Sequence, residues 1–192
     1  MSVNSTNPFL EAVCRFTALS PASQQALAEA VKRLEFDKGH VLVQPNTVCQ
    51  WVYFIESGLT RTYYYKDGKD VTDWLSAEGQ FAVSISSFIT QQPDRRIVEL
   101  LEPSVLWAIS HTALEKLYQQ HHDIERLGRL LASHGLLLVQ QRFDELHFAT
   151  ALERYRTLMT INPTIVQRVP LGMVASYLGM SAETLSRMRA QV

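Results

Sequence analysis

The sequence predicts an α+β chain, and three observations carry that reading: helical patterning at both ends, a β-rich middle from Leu34 to Leu106, and a long unbroken helical pattern after it. The chain has 192 residues, 46% apolar and 19% charged, with 18 basic against 19 acidic side chains. That is the composition of a folded globular protein, large enough to bury a core without disulfides or a structural metal. No apolar run reaches the roughly 18 to 20 residues a membrane-spanning helix needs, so no membrane partner is expected. MSVNSTNPFLEAV lacks the basic start and long apolar stretch of a secretion signal, which points to a cytoplasmic protein. Cys14 and Cys49 are too few for a disulfide framework or a four-thiolate metal or iron–sulfur site.

The chain opens with helical patterns at Pro8 to Phe16 and Pro21 to Val31, the second with Ser20 as N-cap and Pro21 at the first helical position. From Leu34 to Leu106, short runs of Val, Ile, Phe, Tyr and Trp alternate with turn residues, as in a small sandwich or barrel. Lys66-Asp67-Gly68-Lys69 predicts a tight hairpin, because Asp-Gly tolerates positive φ at both central positions. The helical period returns at Thr112 to Gln120 and runs on from His122 to Leu146, a helix of roughly 37 Å. Ile124, Gly128, Leu131, Gly135 and Leu138 recur on one stripe of that helix, continued by Arg142. Glycines one heptad apart suit a close backbone approach, either by the chain's own β region or by a second copy across a two-fold axis; the stripe is expected to form a homodimer.

Three more helical patterns follow at Ala151 to Met159, Leu171 to Leu178 and Ala182 to Ala190, with Asn162-Pro163 ending the first. Gly179-Met180-Ser181 between the last two is the short turn of a helix–turn–helix, with Ser181 as N-cap. From Thr150 onward, Arg154, Arg156, Arg168, Arg187 and Arg189 stand against Glu153 and Glu183, a net +3 inside a chain whose remainder is −4. Arginine forks suit phosphates and guanines, although a solvated basic face has the same composition.

VPLGMVASYLGMSAETLSRMR, residues 169 to 189, resembles the helix–turn–helix of the Crp/Fnr (catabolite-activator) family of transcription regulators. Val174-Ala175 and Tyr177-Leu178 match its first helix, Gly179 its turn, and Glu183-Thr184-Leu185-Ser186-Arg187 the start of its recognition helix. The upstream ERYRTLMTINPTIVQRVP resembles the linker of the shorter branch, and YFIESGLTR lies in a β region of the right order. The resemblance implies a double-stranded β-roll of the cyclic-nucleotide-binding type over residues 1–120, a dimerisation helix over 121–148 and a DNA-binding domain over 149–192. It further implies a homodimer on double-stranded DNA, with RNA polymerase as a further partner. Ser181, Glu183, Thr184, Ser186, Arg187 and Arg189 are the expected DNA contacts. Glu183 can accept from cytosine N4 and Arg187 can fork onto guanine, four residues apart on one face, the spacing that also allows a plain surface ion pair. The sequence departs from the family where Ala182 replaces a longer or basic residue and where no wing strands follow before Val192.

The family's nucleotide cassette corresponds to residues 78 to 103, with Gly79, Gln80, Phe81, Ala82, Arg95 and Arg96 as the expected effector pocket. Gly79-Gln80 replaces a Gly-Glu pair; counted back from the strand Val105 to Ile109, Asp94 falls where the phosphate-binding Arg belongs and Arg95 where its hydroxyl neighbour belongs, while sliding by one residue restores an Arg without its hydroxyl neighbour. A carboxylate there repels a phosphodiester, so standard cyclic-AMP binding is not expected, while Arg95 or Arg96 remains able to serve another anion or to be merely solvated. No cofactor is implied, and the effector, a small molecule or nucleotide, is unidentified. His121-His122 with Glu125 is read as a helix end rather than a metal site. A β-barrel enzyme would need inward His and carboxylate ligands, and the β region offers only His40; there is also no nucleophile elbow, phosphate-binding Gly loop or HExxH. The expectation is a non-enzymatic regulator whose effector alters packing around Gly128 and Gly135. The alternative is an anion-binding roll with a vestigial DNA domain.

Overall fold

Two four-stranded antiparallel sheets face each other across the middle of the chain in the computed structural model, which describes residues 7–190. Residues 1–6, part of the stretch read for a secretion signal, and residues 191–192 lie outside the described residues. Helices α1 (Pro8–Cys14) and α2 (Pro21–Ala30) lead into strands β1 (Lys32–Phe36), β2 (Val41–Val43), β3 (Trp51–Ser57), β4 (Thr60–Lys66), β5 (Lys69–Ser76) and β6 (Phe81–Ala82). Helix α3 (Ile85–Thr90) interrupts the strands before β7 (Ile97–Leu100) and β8 (Ser104–Ser110). Then come α4 (His111–Gln120), the long α5 (His122–Phe148), α6 (Ala151–Ile161), α7 (Pro163–Arg168), α8 (Leu171–Tyr177) and α9 (Ala182–Arg189). One sheet has the order β1-β8-β3-β6 and the other β2-β7-β4-β5, a β-roll in which neighbours in space are mostly distant in sequence.

Strand alternation sorts side chains between two cores. Tyr53 and Ile55 of β3, with Leu106 and Ala108 of β8, point between the sheets toward Val98 and Leu100. Phe54 and Ile109 point the other way, into a cluster with Phe9, Val13, Leu27, Leu117, Ile124 and Leu127 from the helices. The sheet β1-β8-β3-β6 is therefore apolar on both faces, which is why these strands read as nearly continuous apolar runs.

The predicted hairpin forms between β4 and β5, with Lys66 opposite Lys69 and φ of +52° at Asp67 and +74° at Gly68. Two helices were not expected. Helix α3 lies inside the β-rich region and, at six residues, is too short to show a helical period. Helix α7 starts at the Asn162-Pro163 pair read as a break; the proline does end α6, and it then occupies the first position of the next helix.

Packing along α5 differs in part from the expected stripe. Ile124 is buried in the chain's own core, Leu131 packs against that core, and a Cβ on Gly128 would stand 2.3 Å from Tyr118 Oη of α4. Gly128 thus serves an approach within the chain, whereas Gly135 has nothing within 4 Å. Beyond Gly135 the exposed apolar residues are Leu136, Leu137, Leu138, Val139, Phe143, Leu146 and Phe148, a broad band that includes Leu138 of the expected stripe and within which Leu136, Val139, Phe143 and Leu146 follow one line. The first half of α5 uses the original stripe against the chain's own core, so the apolar surface left exposed lies on its second half.

Gly58, between β3 and β4, has φ of +115°, and an added Cβ would fall 2.0 Å from Ser104 Oγ and 2.9 Å from Ser104 Cα. Gly58→Ala is expected to lower stability by about 2–4 kcal/mol, from backbone strain plus a forced shift of the β7–β8 turn. Chemical denaturation of the two proteins checks this; an unchanged midpoint would contradict the close approach.

Candidate nucleic-acid interface and sensor loop

Helices α8 and α9 form the expected helix–turn–helix. Gly179 stops α8 with φ of +65°, and Met180 N–H donates to Ala175 O at 3.0 Å, the pattern of a glycine-terminated helix. Ser181 Oγ then accepts from Thr184 N at 3.1 Å and starts α9. This hydroxyl is engaged as a cap, with Thr184 Oγ1 at 3.0 Å. Leu185 is fully buried and fixes the rotation of α9, leaving Glu183, Ser186, Arg187 and Arg189 exposed and Thr184 half-buried. The Glu183 carboxylate accepts from Ser181 Oγ at 3.3 Å rather than pairing with Arg187.

The basic tail is less free than its composition suggests. Arg154 donates through Nε to Leu178 O at 2.7 Å and through Nη1 to Ala149 O at 2.6 Å. Arg142 of α5 donates to Tyr177 O and lies 3.9 Å over the Tyr177 ring. Two guanidiniums thus cover the C-terminal carbonyls of α8, where a helix favours positive charge. Burial pushes the Arg142 pKa down. Arg168 at the end of α7 pairs with Glu78 and Glu102, acids from two separate turns of the roll, with Nη1 to Glu78 Oε2 at 2.9 Å. Of the five arginines behind the basic bias of the tail, Arg154 and Arg168 are therefore engaged within the chain, while Arg156 and the two expected DNA contacts Arg187 and Arg189 remain exposed.

These contacts join the helix–turn–helix to the roll. β5 is the outermost strand of its sheet, and its Thr72 N–H donates to Ser176 Oγ of α8 at 2.9 Å. Leu59, Leu75 and Ala77 of the roll share one buried cluster with Tyr155, Leu158, Val174, Leu178 and Leu185. Beneath the contact, Arg61 is 2% exposed; its Nε donates to Thr72 Oγ1 at 2.9 Å, and its fork pairs with Asp70 and Glu99. Arg61, Asp73 and Ser84 were not singled out in the sequence, and Arg142 only as the end of the α5 stripe, since the partners of each lie outside its own element.

The sensor loop gathers only part of the expected pocket. Gly79 adopts φ of +78°, and Gln80 Oε1 accepts from Ala77 N at 2.9 Å, so this side chain closes its own turn. Phe81 packs on Phe54, and Ala82 is buried in the roll. Arg95 is exposed, its guanidinium 4.4 Å over the Tyr64 ring. Arg96 alone turns inward among carboxylates, with Nε 2.6 Å from Asp73 Oδ2 and Nη1 3.0 Å from Asp94 Oδ2. Asp94 also accepts from Ser84 Oγ at 3.0 Å and from Arg95 N at 2.6 Å. Burial acts to raise the Asp94 pKa, and the hydrogen bonds from Arg96 and Ser84 outweigh it and hold the carboxyl below its usual range. At the head of α5, His121 Nδ1 lies 3.2 Å from Ser23 Oγ, and Glu125 meets His122 instead of His121.

The Arg168 clamp makes the docking of the helix–turn–helix sensitive to acid. Hydrogen bonds from Arg168, and one from Gly58 N, bring the Glu78 pKa from 4.5 down to about 2 against the effect of partial burial. A depressed carboxyl pKa contributes stability that is complete above pH 4.5 and lost as the pH falls toward about 2. Arg168→Ala is expected to destabilise the protein by about 1 kcal/mol at neutral pH, the scale of a partly solvated pair. The gap between the two proteins' thermal midpoints should narrow across that acid window; a gap independent of pH would rule out the clamp as its source.

The profile of the cyclic nucleotide-binding domain matches residues 33–121. Comparison with curated protein sequences gave no match. Among solved structures, FixK2 from Bradyrhizobium japonicum superposes with a TM-score of 0.70 at 19% identity, over 84% of this chain and 83% of that one. The c-di-GMP responsive global regulator CLP of Xanthomonas campestris gives 0.63 at 19% identity, over 90% and 91%. The catabolite activator protein of Thermus thermophilus gives 0.58 at 18% identity, over 94% and 85%. Among the described residues no helix is long and apolar enough to cross a membrane. With the two-sheet roll, the long helix and the helix–turn–helix in this order, residues 33–121 match the cyclic nucleotide-binding domain and the chain has the fold seen in solved Crp/Fnr-type regulators.

Proposed function

We propose that the protein is a homodimeric, non-enzymatic transcription regulator that reads a pseudo-palindromic DNA site with α9. The observation that carries this reading is the reading face of α9: Glu183, Ser186, Arg187 and Arg189 are exposed together on a helix whose rotation is fixed by buried Leu185. Glu183 and Arg187 share one side, one an acceptor for cytosine N4 and the other a fork for guanine O6 and N7. Arg156, Arg189 and Thr184 supply sequence-independent contacts to phosphate. The structural neighbours, among them a catabolite activator protein and a c-di-GMP responsive global regulator, support the same class.

The open stripe Leu136, Val139, Phe143 and Leu146 alternates by three and four residues, the spacing of a helix-pair seam. A second copy packed there buries four large side chains that one chain leaves in water, and a two-fold pair sets two copies of α9 against successive turns of the same DNA face, about 34 Å apart. RNA polymerase is the further partner such a regulator would engage. A location in the cytoplasm, with the DNA, goes with this reading.

Selection from random duplex DNA is expected to return a pseudo-palindrome, and Glu183→Ala with Arg187→Ala should lose about 1–3 kcal/mol of discrimination at the corresponding bases while keeping salt-sensitive binding. Equal binding of all sequences by the unaltered protein would refute the reading. Val139→Glu with Phe143→Glu should convert the dimer to a monomer in sedimentation and weaken the palindrome to half-site affinity. A dimer unaffected by both charges would place the interface elsewhere.

A further inference from the structure

The loop between α3 and β7 is organised around an anion, and that anion belongs to the chain. Asp94 receives a hydroxyl from Ser84, a backbone N–H from Arg95 and a guanidinium N–H from Arg96. These are the kinds of donor that hold an oxyanion: one charged fork, one main-chain amide and one hydroxyl. Ser84 is fully buried, and although it stands at the N-cap of α3, its side chain makes no capping bond to the helix; it is spent on Asp94 instead. The backbone holds the carboxylate in place, since Asp94 bridges Thr47 and its carbonyl accepts from Asn46 N at 2.7 Å. Arg96 is neutralised a second time by Asp73 from β5, so the charges facing the loop interior are two carboxylates and one guanidinium. Arg95, the other cation of the loop, lies outside on Tyr64.

We propose that the Asp94 carboxylate is the resident anion of this cyclic nucleotide-binding-type domain, filling the Ser84, Arg95 and Arg96 donor set so that a nucleotide phosphate is excluded from it. A phosphodiester would need the same donors and would meet Asp94 and Asp73 at close range, where like charges repel. The roll therefore holds its loop in the anion-filled arrangement with no ligand present. Asp94 is a specificity-determining residue acting against phosphate, and any effector of this protein is recognised elsewhere or is not an anion. This inference rests on the nature of the domain and not on DNA reading.

The test is calorimetric titration of the full chain with cyclic AMP, cyclic GMP and inorganic phosphate, in the absence of DNA, so that failure here leaves the DNA reading untouched. The unaltered protein should show no saturable binding of any of the three. Asp94→Ser should gain saturable binding of at least one, at least about tenfold above the unaltered protein, accompanied by a rise in melting temperature with ligand. Arg96→Ala added to Asp94→Ser should abolish the gain. Asp94→Asn keeps the shape and removes the charge, and should gain a weaker affinity. Saturable nucleotide binding by the unaltered protein that is lost in Arg96→Ala would overturn the proposal, as would a folded Asp94→Ser that gains none. If Asp94→Ser unfolds, phosphate or cyclic nucleotide should restore its folding, and no restoration by any of them counts against the proposal.

Discussion

The apolar seam between the edge of the roll and the helix–turn–helix is the constraint on which the rest of the molecule depends. Helices α6 to α9 comprise about forty residues, too few to bury a self-sufficient core. Leu59, Leu75 and Ala77 complete that core from the side of the roll. Burying a large aliphatic side chain contributes about 1.5–3 kcal/mol, so the few shared residues weigh heavily for so small a module. The polar contacts around the seam orient it more than they stabilise it. Ser176 meets one N–H of β5, and Arg168 spans two turns of the roll, which together fix both the height and the rotation of α8.

Several arginines of this protein are turned inward. Arg168 holds two carboxylates from separate turns, Arg142 and Arg154 cover the end of α8, and Arg61 lies buried beneath the seam, so that of the C-terminal arginines only Arg156, Arg187 and Arg189 are exposed. A local net charge is therefore a poor measure of what a segment can bind, since the acids that neutralise Arg168 are 90 and 66 residues away in sequence. The sensor loop shows the same economy at shorter range, with Asp94, Arg96 and Asp73 balancing one another where the family's ligand chemistry would require an unbalanced positive site.

Local signals in the sequence carried most of the architecture. Ser20 with Pro21, the Asp67-Gly68 turn and Gly179 before Ser181 each act through neighbours a few residues away, and each stands where expected. The exposed face of α9 was legible because a cap and a buried leucine set its rotation. The free stripe of α5 was not, because the 3.6-residue period marks an apolar face without saying what covers it: Ile124 and Gly128 meet α4, while Leu136 and Val139 are left open. Helix α3 was hidden by its brevity, and the roles of Arg61, Arg142 and Arg168 depend on contacts that close only in three dimensions.

Strand β5 ends its sheet, and an unpaired sheet margin is a template for pairing with other chains. Helix α8 seals that margin at Thr72. Any movement that frees the helix–turn–helix from the roll would also bare the margin, so release carries a hazard of strand addition and aggregation. Rearrangements that keep α8 seated avoid that hazard, and this favours a molecule in which the roll and the helix–turn–helix move as one body over one whose helix–turn–helix swings on a tether.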